Sequence, residues 1–182
     1  MYNFVDTNGY AEGTSLPSEA LKINGAYLEH TVTGYRTLYV KGREMLAPDI
    51  ETYETGVRDG STLQSKRFPA RTITVGYQLI ASSAEAFRAA FNALNAALDV
   101  EEAELIFADE PDKFFIGTPF GRGDVPAGRN AITGEFDILC ADPFKYSCTE
   151  YEVTPTLDDG TTFAIQYNGT YRSYPTLVAE FA

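Results

Sequence analysis

Ser82-Ser83-Ala84-Glu85-Ala86-Phe87-Arg88-Ala89-Ala90-Phe91-Asn92-Ala93-Leu94-Asn95-Ala96-Ala97-Leu98-Asp99 decides the fold, together with the acidic and apolar residues that follow it as far as Gly117. Ser82 with Glu85 three positions later has the pattern of a capping box, each side chain satisfying the other's backbone amide, and predicts a helix start. Phe87, Phe91, Leu94 and Leu98 recur at helical spacing as one apolar stripe, while Arg88, Asn92, Asn95 and Asp99 face away. The helix therefore lies on a surface and covers something. Glu101 and Glu102 oppose the negative end of the helix dipole, which predicts a stop by Asp99 or Val100. Leu105, Ile106 and Phe107 then read as a strand, Asp109-Glu110-Pro111-Asp112 as its turn and Lys113 to Gly117 as the return strand.

Upstream, Arg71 to Ile80 is the clearest strand: Ile73, Val75, Tyr77 and Leu79 share one face, and Thr72, Thr74, Gly76 and Gln78 the other. Leu21, Ile23 and Tyr27 predict another strand, with His30 at its end, and Leu38 and Val40 a third within Arg36 to Lys41. Residues 42 to 70 have no sustained period and are too long for an ordinary connection, which marks them as a functional arm or belt loop. They contain the turn signal Gly56-Val57-Arg58-Asp59-Gly60-Ser61 and the basic cluster Lys66, Arg67 and Arg71. Residues 1 to 20 read as an extended arm.

Downstream, Thr118 to Gly134 reads as a Gly- and Pro-rich loop and Glu135 to Ala141 as a strand with Phe136, Ile138 and Cys140 inward. Beyond Ser147, Val153, Phe163, Ile165 and Tyr167 predict two strands joined at Asp158-Asp159-Gly160-Thr161, with a turn at Asn168-Gly169. The last residues, from Tyr174, read as a strand that ends unfinished. The expectation is a domain over 1–147 and the first strands of a truncated β-sandwich over 148–182.

The chain has 182 residues, 44% of them hydrophobic, with 12 Tyr, 12 Phe and no Trp, a composition suited to a β-rich core. Its net charge of −12 argues against tight nucleic-acid binding, which needs Lys and Arg on phosphates. No apolar run of membrane-spanning length and no signal-peptide pattern is present, and Cys140 and Cys148 are expected as free thiols. His30 is the sole histidine; without a nucleophile elbow or a set of His and Cys ligands, no catalytic residue, metal or cofactor is expected. The pairs Glu101/Glu102 and Asp109/Glu110 place adjacent carboxylates on opposite strand faces, which argues against a hydrolytic dyad. The residues alone predict a mainly β, α+β domain that assembles with other chains.

Arg58-Asp59-Gly60-Ser61, Lys66-Arg67-Phe68-Pro69-Ala70-Arg71-Thr72-Ile73-Thr74-Val75, Phe107-Ala108-Asp109-Glu110-Pro111-Asp112-Lys113-Phe114-Phe115-Ile116-Gly117 and Cys140-Ala141-Asp142-Pro143-Phe144-Lys145-Tyr146-Ser147 stand in this order around the helix. As a set they resemble the distal tail proteins of siphophages that infect Gram-positive bacteria, over roughly residues 15 to 147. Tyr167-Asn168-Gly169-Thr170 with Ser173-Tyr174-Pro175 resembles the entry to that family's carboxy-terminal β-sandwich. The resemblance implies a split β-barrel or sandwich of the tail-tube type with one flanking helix, in a hexameric ring at the virion tail tip assembled in the host cytoplasm. It implies as partners the other ring subunits, the tail tube protein, a tail-associated lysin or tip protein, and receptor-binding or baseplate proteins, with DNA passing through unbound and no membrane contact. Arg58, Asp59, Lys66, Arg67, Phe68, Arg71, Asp109, Glu110, Asp112 and Lys113 become candidate subunit contacts, and the excess carboxylates are expected toward the lumen. A carbohydrate-binding module for host attachment is the alternative, which the absence of Trp disfavours.

Overall fold

A computed structural model describes residues 16–122, 129–153, 165–174 and 176–178. The chain divides into two units, Met1–Thr149 and Glu150–Ala182. The first unit is built on an antiparallel sheet whose longest unbroken pairing is made by β6, Arg71–Ile80, a strand as its alternating pattern predicts. It pairs over its whole length with β9, Ala131–Cys140, and on its other edge with β3, Tyr35–Lys41. The β6–β9 register sets Ile73 against Ile138, Val75 against Phe136 and Leu79 against Ile132, so both strands turn their apolar residues to one face.

The expected hairpin after the helix is present with its turn earlier than predicted. β7, Ala103–Phe107, reverses through Ala108 and Asp109, and β8 starts at Glu110, so Pro111 lies in the strand. β8 runs on to Arg122 and absorbs residues expected to be loop. Its early residues pair with β7 on one edge, while Lys113 and Phe114 on the other edge pair with β10, Tyr146–Ser147, and Thr118 to Arg122 pair with β9. Past Gly117 the β7 ladder has ended, and a bulge falls between Pro119 and Gly121. Pro and Gly are tolerated at such a half-paired, bulged position. β9 likewise begins at Ala131, ahead of the predicted Glu135.

β1, Leu21–Ile23, and β2, Ala26–Tyr27, complete the order β2-β1-β7-β8-β9-β6-β3, an open sheet. The single strand expected from Leu21 to Tyr27 is instead a hairpin: Asn24 (φ 45°) and Gly25 (φ 90°) are both left-handed, as a type I′ turn requires. A short helix α1, Leu28–Thr31, follows, so the expectation of one helix is corrected to two. His30 lies in α1, edge-on to the Tyr27 ring, rather than at a strand end. In β3 the buried residues are Tyr35, Thr37 and Val40; a bulge at Leu38 shifts the inward parity and turns Leu38 from its predicted inward place. Gly34 and Gly42 flank β3 with φ of +79° and +87°, and a Cβ would sit 1.9 Å from the Ile80 carbonyl oxygen at the first and 2.2 Å from that of Thr72 at the second.

The long helix α2, Ala84–Ala97, buries Phe87, Ala90 and Leu94, with Leu98 at its C-cap, against the core formed by β6, β7, β8 and β9. Its cap is Ser83, whose hydroxyl accepts the Ala86 amide at 3.1 Å; the predicted box of Ser82 with Glu85 gives way to this neighbouring serine. Cys140 is buried and Cys148 exposed, both as free thiols, and burial pushes the Cys140 thiol up to about 11. The residues expected as strands at 154–164, with Pro175 and 179–182, lie outside the described residues, as do part of the loop at 123–128 and residues 1–15 of the extended arm expected over 1–20, whose last residues form a turn in which the Ala20 amide donates to the Pro17 carbonyl and Ala20 is buried. The described residues of the second unit carry no strand or helix; there the Tyr167 hydroxyl donates to the Tyr171 carbonyl.

Ser83→Ala should lower stability by about 1 kcal/mol in denaturant titration, whereas Ser82→Ala should change it by a few tenths at most. The reverse ranking would restore Ser82 as the cap.

Candidate assembly interface

The stretch from 42 to 70 forms a second, separate sheet of two strands, β4 (Asp49–Tyr53) and β5 (Thr62–Arg67). Every residue of both strands is exposed. Ile50 opposes Lys66 and Thr52 opposes Leu63, while Gln64 is the extra residue of a bulge. Asp49 opposes Arg67 in a 3.3 Å ion pair, and Glu51 accepts the Ser65 hydroxyl at 3.1 Å. Pairs this exposed contribute little in water. A two-stranded hairpin is marginal alone, and Ile50, Tyr53 and Leu63 are more than half exposed, with Val57 at the tip 97% exposed. Arg58 and Asp59 share that tip.

The root of this arm is held tightly. Arg43, just before it, donates from Nη1 and Nη2 to the two carboxylate oxygens of Asp109 at 2.7 and 2.8 Å, and from Nη2 to Glu19 at 2.8 Å. Its guanidinium lies 4.3 Å from the Phe107 ring centre, where a cation is attracted to the π face. The hydrogen bonds from Arg43 hold the Asp109 carboxyl below the usual carboxylate range, against the opposing effect of partial burial. Arg71, just after the arm, is buried: its Nε donates to the Pro143 carbonyl at 3.0 Å and its Nη1 to those of Gly42 at 2.6 Å and Glu44 at 3.2 Å. Phe68 meets Phe144 edge to face. The two arginines thus tie both legs of the arm to the end of the main sheet.

The ten predicted contact residues therefore separate into groups. Arg58, Asp59, Lys66 and Arg67 are on the projecting arm. Phe68 and Arg71 are at its root, and the guanidinium of Arg71 is spent on carbonyls of its own chain, apart from the basic surface cluster predicted for it. Asp109, Glu110, Asp112 and Lys113 lie at the β7–β8 hairpin, where Glu110 pairs with Lys145 at 2.5 Å and Lys113 lies 3.4 Å from Asp112. Arg43 joins that hairpin to the arm root. Neither Arg43 nor Glu19 stands out in the sequence, because an isolated arginine gives no sign of which distant carboxylate it meets. Further apolar surface lies at Ile116, Phe120 and Leu139, all exposed on the strands of the main sheet. No cluster of three or more metal-ligating side chains occurs among the described residues, and no helix there is long and apolar enough to cross a membrane.

Residues 36–139 match the model of the phage tail protein RIFT-related domain. Among solved structures, the chain is similar to the crystal structure of the SPP1 Dit protein, a paradigm of the hub of the adsorption apparatus in phages infecting Gram-positive hosts. The TM-score is 0.62 at 19% identity, over 70% of this chain and 51% of that one. The likeness is one of fold, and the chain spans about half the length of that protein. No curated protein matches it.

A carboxylate whose folded-state pKa is depressed stabilises the fold above its unfolded value, about 3.9 for Asp, and loses that contribution as pH falls through the depressed value. The melting temperature of Asp109→Asn should therefore lie below that of the unaltered chain at pH 5 to 7, by the equivalent of about 1–2 kcal/mol, since Asp109 is partly exposed. The gap should narrow below about pH 4 and close once Asp109 is protonated in the fold. A gap independent of pH would remove the ion pair as its cause.

Proposed function

Since the chain belongs to the phage tail protein RIFT-related domain family, we propose that it is a structural subunit of a siphophage tail tip, forming a hexameric ring that joins the tail tube to the baseplate or receptor-binding apparatus. The observation that carries this reading is the arm: a wholly exposed hairpin bearing Ile50, Tyr53, Val57 and Leu63, clamped at its root by Arg43 and Arg71. Exposed apolar residues on a rigidly anchored projection are what a subunit contact needs. A heterologous contact, arm of one copy on a different patch of the next, generates a closed ring when the rotation per step divides the circle.

Charge supports the same reading. Lys66, Arg67 and Arg58 offset Asp49, Glu51, Glu54 and Asp59 and bring the arm close to neutral in a chain whose net charge is −12, so the arm of one copy meets the acidic body of another with little repulsion. A ring with few cations in its lumen also lets DNA slide without phosphate contacts that grip it. The tail tube protein above and tip, lysin or receptor-binding proteins below are the partners such a ring meets, and its place is the virion tail after assembly in the host cytoplasm. The role is structural, with no catalytic step. Neither the domain match nor the fold likeness favours the carbohydrate-binding alternative.

Replacing residues 50–66 by a short Gly-Ser turn leaves the main sheet and its core residues intact. Light scattering and negative-stain imaging should find six-fold rings for the full chain and single subunits for the arm-less one, with melting of the core little changed. Equal ring formation without the arm would sink its proposed role; rings of another order would overturn the hexamer alone.

A further inference from the structure

β3 is the last strand of the main sheet on one side, so its outer edge presents backbone donors to any strand that approaches. The Ile80 amide donates to the Gly34 carbonyl at 3.0 Å, which fixes the alternation along the β3–β6 ladder: Arg36 bonds inward, and the amides of Tyr35 and Thr37 point outward. Each outward amide has a partner from outside the sheet. Tyr35 donates to the Val32 carbonyl at 3.2 Å. Thr37 donates to Glu29 Oε1 at 3.0 Å, and beyond the bulge Val40 donates to Glu19 Oε2 at 3.1 Å. The two carboxylates arrive from different segments, Glu29 from α1 and Glu19 from the turn that precedes β1.

We propose that Glu19 and Glu29 are edge guards, which occupy the free donors of β3 and keep this edge from accepting a strand of a second copy of the chain. A side-chain oxygen on each amide is suited to this, because it accepts the donor strongly and leaves nothing for an incoming strand to pair with. β3 carries Tyr35, Leu38, Tyr39 and Val40, residues with good strand propensity or apolar surface, so an uncapped edge would be adhesive. Contacts between copies are thereby directed away from sheet extension at β3. The guard also shares a group with the arm root: Glu19 places Oε2 on the Val40 amide and Oε1 on Arg43 Nη2, so the same side chain closes the edge and holds the clamp. The inference stands on these hydrogen bonds and is independent of the tail-tip reading.

Hydrogen exchange on the full chain, with light scattering over a concentration series, tests it. In Glu29→Ala the Thr37 amide should exchange about three- to tenfold faster, the equivalent of one lost hydrogen bond, and the chain should associate beyond the unaltered protein with Thr37 protected again in the associated form. Glu29→Gln, which keeps an acceptor oxygen, should behave as the unaltered chain. This single variant leaves the Arg43 clamp whole, so it reads the edge without disturbing the arm. Arg43→Met should speed exchange at Val40 and not at Thr37 if Glu19 is held by both groups. The proposal is overturned if Thr37 exchange is unchanged in Glu29→Ala, if the exposed edge brings no added association, or if association leaves Thr37 unprotected. Equal association by Glu29→Gln would also overturn it, by making lost charge rather than a lost cap the cause.

Discussion

The ten-position ladder between β6 and β9 is the constraint on which the rest of the structure depends. Side chains alternate with a period of two, so a slip of one residue would exchange Ile73, Val75 and Leu79 with Thr72, Thr74 and Gln78 on the core face. With the register set, α2 has an apolar surface to cover, and Phe87, Leu94 and Leu98 each gain up to about 1.5–3 kcal/mol from burial there. β8 then lies along β9 only from Thr118 onward, which leaves its first half free to pair with β7. The β7–β8 hairpin is thereby carried to the place where Asp109 meets Arg43.

That meeting relates the core to the arm. β4 and β5 bury nothing of their own, and their cross-strand ion pair is open to water, so the hairpin's direction is set at its root. Arg43 and Arg71 act there in different ways: the first donates to two carboxylates while lying over Phe107, the second donates to three backbone carbonyls. A guanidinium suits both tasks because its donors diverge in one plane. The resulting body has a firm core, a firmly rooted projection and a closed β3 edge, and its exposed apolar side chains include those of the arm and Ile116, Phe120 and Leu139 of the main sheet.

Much of this was legible in the sequence. Phe87, Phe91, Leu94 and Leu98 announced a covering helix, Arg71 to Ile80 a half-buried strand, and Phe136, Ile138 and Cys140 an inward set, because apolar periodicity reports local geometry over a few residues. The patternless stretch from 42 to 70 marked an element outside the core, though the register of its hairpin was hidden by the lack of a buried face. Asn24-Gly25 carried a turn signal strong enough to break the predicted strand at that point.

By itself, then, the sequence determined a β-rich body with an amphipathic covering helix and an arm, since those follow from patterns repeated along neighbouring residues. Tertiary structure alone decided the partners. Thr118 to Arg122 is strand because β9 pairs with it despite Pro119 and Gly121; Ser83 displaces Ser82 as the cap; Arg71 is buried under Pro143. Arg43 meets Asp109 across 66 residues, and Glu19 meets Val40 across 21. Charge complementarity and hydrogen bonding act through space, and nothing in the order of residues says which carboxylate will stand beside which donor once the sheet has closed over its core.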